Sequence, residues 1–294
     1  IPLTLAMSIN VLFILGAVFV PNLWSVVEYL FPFSLLGFAV IGIYSMRIFG
    51  AFFTRILSTG SFDCTRNNNL SQMLAIFAFA MVGVGLAAPA AMSMQPITSA
   101  ISAFGAIFFL SAVVLLGLMK MLLGFRAMFE HGVNQESSVS LWIIIPILTL
   151  VGIAVIRLTH GLHHTFNSHT EPGSLFVLTS AFLSIQLLFG GLGYMVMKQV
   201  GYYDEFVQGS GRSPGSYALI CPGVALFVFG MFFVHVGLVT TGLVTKFSLP
   251  YLLLIAPLVY VQFKTIRVML KLDRKLLRQG SPETPSVGKG TATA

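Results

Sequence analysis

Charged side chains are scarce in this sequence. Asp, Glu, Lys and Arg together make up 9% of the 294 residues, whereas apolar residues make up 56%. Soluble domains carry about 25% charged residues, so this chain could not cover a folded surface with water-compatible side chains. Its apolar runs are also much longer than the roughly 9–11 residues of a membrane-spanning β-strand. The composition therefore excludes a soluble enzyme and predicts an all-α polytopic membrane protein.

Acidic residues are the scarcest charged group, with 9 Asp and Glu against 16 Lys and Arg. The apolar runs contain almost none of them, which argues against a carboxylate proton relay or an acidic sodium site. The sequence also lacks a P-loop and a GxGxxG motif between a strand and a helix, so we expect neither an enzyme nor a bound cofactor. The two cysteines, Cys64 in a polar connector and Cys221 in an apolar run, are not expected to pair.

Long apolar windows divide the chain into eight predicted membrane spans. Short connectors join them in pairs and longer, charged connectors separate the pairs, which is a pattern of four hairpins repeating at roughly 70 residues. Residues 1–278 are predicted to form one transmembrane domain, and the Pro-, Gly- and Ser-rich stretch 279–294 a disordered cytoplasmic tail. The predicted spans are 3–20, 30–53, 70–92, 97–125, 140–159, 174–197, 216–245 and 249–270.

The positive charges lie almost entirely at one end of these spans. Fourteen of the 16 Lys and Arg residues fall there, and only Arg157 and Lys246 fall at the other end. Because Lys and Arg are retained on the cytoplasmic side, this bias predicts an integral protein of a bacterial inner membrane with both chain ends in the cytoplasm. The net charge of +7 reflects this topology and does not indicate a nucleic-acid partner.

The odd and even spans differ in composition. Odd spans collect small residues, isolated polar groups and prolines, among them Pro146 and Pro222. A proline within a span frees a carbonyl, which is tolerated mainly where another helix or a water-filled cavity satisfies it. We therefore predict an inner layer of proline-kinked odd helices and an outer, lipid-facing layer of even helices.

Two stretches of the sequence resemble one known family of membrane proteins. The stretch RNNNLSQMLAIFAFAMVGVGLAAP at 66–89, which follows MRIFGAFFTRIL, is similar to that family's basic connector and third helix. The stretch SPGSYALICPGVALFVFG at 213–230, followed by a last helix ending in KTIRVMLKLDRKLL, is similar to its penultimate helix. The family is that of the tellurite-resistance/dicarboxylate transporters, which includes the plant slow anion channels.

The resemblance implies five hairpins around a central pore, a homotrimeric assembly and the passage of small anions. Only four hairpins are predicted here, so a fifth either lies upstream of Ile1 or is absent. The family's gate is a phenylalanine just before the proline of the penultimate helix. In this sequence Cys221 precedes Pro222, so the plug is missing unless Phe227 or Phe229 replaces it.

The leading hypothesis is therefore a channel or transporter for a small anion, such as a dicarboxylate, sulfite or another oxyanion. A path lined by hydroxyls, small residues, helix N-termini and few cations suits anions better than cations. Ser8, Asn10 and Thr149 are the predicted hydrogen-bond donors to a partly dehydrated anion, and Phe227 or Phe229 the hydrophobic constriction.

Histidines cluster at the less basic end, in RLTHGLHHTFNSHTEPG at 157–173. His160, His163 and His164 would share one face if the fifth helix continues through them, although Gly161 weakens that continuation. Three interpretations stay open. The histidines are solvated loop residues, or they form a pH-sensitive vestibule with Arg157, or they bind a metal ion.

His235 is the one histidine inside a predicted span. An ionisable group there is a functional candidate, and the alternative is a neutral imidazole bonded to a neighbouring carbonyl. The competing functional hypothesis is a redox or quinone-handling subunit of a larger complex that uses His235 and the clustered histidines. A di-haem site would need two axial histidines facing each other at one depth, and the sequence offers no clear second one.

Overall fold

A computed structural model of the chain describes residues 1–60, 68–166 and 172–277. Within these ranges the protein is helical and contains no strand, and eight helical spans are long and apolar enough to cross a membrane. The predicted all-α polytopic membrane fold is therefore confirmed, and the predicted tail at 279–294 lies outside the described residues. The helices are α1 (Pro2–Phe19), α2 (Leu23–Thr59), α3 (Leu74–Met92), α4 (Pro96–His131), α5 (Ile144–Phe166), α6 (Pro172–Gln199), α7 (Ile220–Phe232) and α8 (Leu249–Leu277).

Proline and glycine account for several of the helix boundaries. Pro2 and Pro96 open α1 and α4, where a missing N–H costs nothing. Gly60 and Gly132, with φ of 60° and 72°, end α2 and α4 in a backbone region that favours glycine. These two helices have 37 and 36 residues and exceed their predicted spans. At 1.5 Å per residue they are about 55 Å long, so they extend beyond a hydrocarbon core of about 30 Å.

A short 3-10 helix precedes each of α3, α5 and α7, and these three turns meet at one end of the bundle. We call this the basic end, because α2, α4, α6 and α8 finish there with most of the Lys and Arg residues. The Leu70 N–H donates to the Ser140 hydroxyl at 3.0 Å, and the Ser213 hydroxyl donates to the Glu136 carboxylate at 2.6 Å. Side-chain hydrogen bonds thus tie the start of α5 to the starts of α3 and α7.

The helices divide into a buried pair and a surrounding layer. Most residues of the α3 and α5 spans are buried, those of α7 are intermediate, and the even helices are largely exposed. The predicted arrangement, with odd helices inside and even helices outside, is therefore found for α3, α5 and the even helices. Helix α1 differs, since it packs against α2 and α3 but buries only Ala6.

The two prolines predicted to kink inner helices occupy a different position. Pro146 and Pro222 are each the third residue of their helix, directly after a 3-10 segment. A proline in the first turn removes an N–H that bonding within the α-helix does not use, so these prolines open their α-helices and do not lie in the helix interior. Within the described residues, proline instead lies inside α2 at Pro32, α3 at Pro89 and α8 at Pro257.

Glycines allow aromatic rings to approach neighbouring helices closely. The Phe38 ring lies on Gly85, the Phe109 ring on Gly42, the Phe229 ring on Gly152 and the Trp142 ring on Gly193. A Cβ atom added to any of these four glycines would overlap the ring. The backbones of α3 and α5 approach closely at Gly161, where an added Cβ would overlap the Ala90 carbonyl.

Gly161→Ala should therefore lower the thermal unfolding midpoint of the purified protein. The new methyl group meets backbone atoms of α3 that cannot rotate away, and overpacking of this kind costs about 1–3 kcal/mol. Gly50→Ala in α2 is the matched control, because a Cβ there meets nothing within 4 Å. It should raise stability by about 0.5–1 kcal/mol. Equal midpoints for the two variants would contradict the close approach of α3 and α5.

Candidate functional site

Arg157 of α5 lies inside the bundle. Its Nη1 atom donates to the Val84 carbonyl of α3 at 2.8 Å, and Val84 is near the middle of that 19-residue helix. The sequence had predicted Arg157 in an outer vestibule with the histidines. The structure places it deeper because α5 continues for nine residues beyond it, to Phe166, which is about 14 Å of helix.

Among the described residues, no acidic side chain lies in the inner part of the bundle to balance this charge. Helices α1, α3, α5, α6 and α7 contain no Asp or Glu. Glu28 of α2 binds the turn between α3 and α4 instead, accepting bonds from the Ser93 hydroxyl and the Met94 N–H. Within the described ranges, Arg157 therefore forms no ion pair. An unpaired cation at this depth is costly, and such residues usually mark an ion or substrate path.

Asn10 of α1 approaches the same part of α3. Its amide donates to the Met81 carbonyl at 3.4 Å, and also to the Ala6 carbonyl within α1 at 3.0 Å. Met81 and Val84 are three residues apart, so their carbonyls share a face and are about 4.5 Å apart along the helix axis. Residues 81–85 of α3, which we call the α3 polar segment, therefore meet two of the predicted site residues.

The sequence of α3 explains why side chains reach its backbone here. Gly83 and Gly85 have no side chains to cover neighbouring carbonyls, and other helices can approach closely at such residues. Pro89 has no N–H, so the Gly85 carbonyl lacks its helical donor. The α3 polar segment is thus a buried stretch of an apolar helix in which polar side chains of α1 and α5 reach the Met81 and Val84 carbonyls.

Thr149 belongs to a second polar cluster, between α5, α6 and α7. Its hydroxyl lies 3.0 Å from the Ala225 carbonyl and 3.1 Å from the Ile145 carbonyl, and accepts a bond from the Gln186 amide at 3.0 Å. Gln186 is fully buried, and its Oε1 atom has no partner within the described residues. Sequence reasoning missed Gln186 because α6 was interpreted as a lipid-facing helix. A single amide in a Leu-rich span was the available signal.

The predicted gate residues lie in different environments. Phe229 is fully buried, with its ring against Gly152 and 6.0 Å from the ring of Phe182. It fills the contact between α5, α6 and α7 as a packing residue. Phe227 and Cys221 are half-buried, and Phe227 stays the candidate for a constriction.

Ser8 does not join the other predicted donors. Its side chain is exposed on α1, and its hydroxyl donates to the Thr4 carbonyl one turn earlier at 3.0 Å. A serine in a helix commonly satisfies its hydroxyl in this way. The structure thus places Ser8 on the exposed surface of α1, and its role as a donor to an anion stays a prediction.

The clustered histidines fall at the end of α5. The helix runs through residues 163 and 164 to Phe166, so Gly161 does not break it and instead permits the contact with α3. His160 is exposed, and the side chains of His163 and His164 lie outside the described residues. In the part of the chain that the structure describes, no group of three or more His, Cys, Asp or Glu residues could hold a metal ion.

His235 is paired with a tyrosine. It lies in a π-helical segment, Phe233–Val239, that continues α7, and its Nε2 atom is 3.4 Å from the Tyr251 hydroxyl of α8. The two rings meet edge to face with centroids 5.7 Å apart. The imidazole is thus bonded to a hydroxyl and not to the carbonyl that was the structural alternative.

Comparison with models of protein families, with curated proteins and with solved structures finds no match for this chain. The resemblance to the tellurite-resistance/dicarboxylate transporters therefore stays a prediction. A function must be inferred from the side chains and contacts within the bundle itself.

Thr149→Val should destabilise the contact between α5 and α7. The substitution keeps the side-chain shape but removes the bond to the Ala225 carbonyl, and it leaves the Gln186 amide with only its longer bond, of 3.4 Å, to the Ile145 carbonyl. Hydrogen bonds between membrane helices contribute about 0.5–2 kcal/mol, so a corresponding fall in the unfolding free energy is expected. Thr149→Ser retains the hydroxyl and is the control. Unfolding in detergent measures both, and identical losses for Val and Ser would assign the effect to packing alone.

Proposed function

We propose that this protein is a channel or transporter for small anions, such as dicarboxylates, sulfite or other oxyanions, and that the anion passes the α3 polar segment. The observation that carries the proposal is Arg157, a half-buried cation that is bonded to the middle of the buried helix α3 and has no carboxylate partner in the described residues. An anion that passes there would supply the missing charge.

The guanidinium group has the geometry that this role needs. It presents several N–H donors in one plane, which match the two oxygens of a carboxylate or the oxygens of an oxyanion. One nitrogen is held by the Val84 carbonyl, which orients the group without neutralising it. Asn10 lies about one helical turn away along α3, and its amide can donate to the same anion if it gives up the longer of its two bonds, that to the Met81 carbonyl.

Charge also discriminates against cations. Because α1, α3, α5, α6 and α7 contain no Asp or Glu, a cation in this region would meet Arg157 with nothing to offset the repulsion. The basic end adds further positive charge where anions would gather. These features favour anions over both metal cations and protons.

The proposal extends to the architecture that the sequence resemblance implies. We place the chain among proteins similar to the tellurite-resistance/dicarboxylate transporters, assembled as homotrimers in a bacterial inner membrane with the basic end in the cytoplasm. The stretches at 66–89 and 213–230 and the bias of Lys and Arg support this placement. The redox alternative has less support, because the side chain that His235 contacts is Tyr251 and not a second histidine.

Arg157→Gln should reduce uptake of radiolabelled sulfite and succinate into proteoliposomes by about tenfold or more. A hydrogen bond to a charged group contributes about 1.5–3 kcal/mol, which corresponds to that loss. Arg157→Lys keeps the charge and should retain part of the uptake. Lys246→Gln removes an exposed cation from the connector between α7 and α8 and is the matched control.

A purely structural role for Arg157 would give a different result. Loss of the bond to Val84 would lower the unfolding midpoint without changing which ions pass. We therefore expect the preference for anions over cations, measured from the reversal potential, to fall in Arg157→Gln and to persist in Lys246→Gln. A folded Arg157→Gln variant with normal uptake and normal selectivity would refute the proposal.

The orientation is tested by cysteine labelling in a variant with Cys64 and Cys221 replaced by Ser. Thr245→Cys lies in the exposed connector between α7 and α8, and Arg212→Cys lies in an exposed position at the basic end. An impermeant maleimide should label Thr245→Cys in intact cells, and Arg212→Cys only after the membrane is opened. The reverse pattern would invert the proposed topology.

A further inference from the structure

A second site lies at the basic end of the bundle, between α6 and α8. The structure has a cavity there of about 580 Å³, lined by both helices, by the first turns of α7, by the π-helical segment Tyr203–Gln208 and by Trp142. Arg157 and the α3 polar segment do not line it. The cavity is thus separate from Arg157 and the α3 polar segment, although Pro222 of α7 lines it.

Along α6 the lining of the cavity changes from polar to apolar with depth. Lys198 and Lys264 are exposed residues on α6 and α8, respectively, and both line it. Leu187 lines it on α6 eleven residues before Lys198, which is about 16 Å further from the basic end. Leu226 of α7 adds to the apolar part. A membrane lipid has the same order, with a charged headgroup above hydrocarbon chains.

Tyr203 provides an independent indication of a ligand. It lines the cavity, and its hydroxyl is buried with no hydrogen-bond partner within the described residues. Burial raises the pKa of the Tyr203 phenol, so the hydroxyl stays protonated and can donate a bond. A buried polar group of this kind is normally bonded, so the Tyr203 hydroxyl is a donor beside the cavity whose partner is not among the described residues.

Glycines in α6 help to keep this space open. Gly190 and Gly191 both line the cavity, and a Cβ added to Gly191 would meet nothing within 4 Å. The Gly190 carbonyl accepts a bond from the Trp142 indole at 3.0 Å, which fixes the ring at the cavity. Asp204 is the acidic residue among the lining residues, so with the two lysines the local formal charge is positive.

We propose that this cavity binds an anionic phospholipid, with its phosphate between Lys198 and Lys264 and an acyl chain between α6 and α8. Basic pockets between membrane helices on the cytoplasmic side recognise anionic headgroups in this way. The Tyr203 hydroxyl donates to the phosphate or to an ester oxygen. The site selects for the headgroup charge, which distinguishes it from the general lipid surface of the protein.

Trp142 allows a direct test, because the chain has only two tryptophans. Trp24→Phe leaves Trp142 as the single fluorophore. The protein is reconstituted in phosphatidylcholine vesicles. One series contains increasing fractions of phosphatidylglycerol that is brominated on its acyl chains, and the other contains increasing fractions of phosphatidylcholine that is brominated in the same way. Brominated phosphatidylglycerol should quench Trp142 at a several-fold lower fraction than brominated phosphatidylcholine.

Variants of the lining residues test whether the two lysines cause the preference for phosphatidylglycerol. Lys198→Gln and Lys264→Gln should each weaken the preference for phosphatidylglycerol by about fivefold, the effect of one lysine near an anionic lipid. Lys271→Gln, an exposed lysine of α8 that does not line the cavity, is the matched control and should change nothing. Gly191→Leu should fill the cavity and reduce quenching by both lipids, whereas Gly50→Leu on α2 should not.

Equal quenching by the two brominated lipids would overturn the proposal, since it would show lipid contact without headgroup selection. Absence of quenching by either lipid would also overturn it, since the cavity would then be closed to lipid, for example by a second copy of the chain. The proposal would also be overturned if the preference for phosphatidylglycerol persisted in both Lys198→Gln and Lys264→Gln. If Gly191→Leu fails to fold, the two lysine variants still test the proposal, because they do not change the size of the cavity.

Discussion

The close packing of α3 against its neighbours is the constraint on which the rest of the structure depends. Lipid is as apolar as the helix surfaces, so burying apolar area does not by itself hold membrane helices together, and tight packing must do so. In this protein aromatic rings lie directly on glycines of adjacent helices, as Phe38 does on Gly85 and Phe229 on Gly152. Gly161 brings the backbones of α5 and α3 into contact.

The contact between α5 and α3 at Gly161 also positions the positive charge of Arg157. Arg157 is one turn before Gly161, so its side chain lies along α3, where the Val84 carbonyl is within reach. Most other polar groups in the interior are bonded to backbone or to each other, as Thr149 and Gln186 are. Arg157 differs because a carbonyl can orient a guanidinium but cannot neutralise it. The proposed anion site thus follows from a packing requirement one helical turn away.

The two proposed sites use positive charge in different ways. Arg157 is single, interior and held by backbone, which suits a small anion that passes through. Lys198 and Lys264 are exposed at the edge of an apolar cavity, which suits a lipid that stays bound. The hydrogen bonds among the 3-10 turns at the basic end keep the starts of α5 and α7 together beside that cavity.

The sequence by itself determined the fold class, the number of spans and the hairpin order, because composition and apolar run length are local properties that a bilayer imposes on any chain. It also singled out Asn10 and Arg157, since polar groups in apolar helices are visible without a structure. Only the tertiary structure decided which neighbours they meet. Sequence does not give helix rotation or the exact start of a helix, so Ser8 turned out exposed, Pro146 and Pro222 fell in first turns, and Gln186 on a helix interpreted as lipid-facing proved buried. The cavity between α6 and α8 was equally invisible, because its lining comes from five separate segments that only packing brings together.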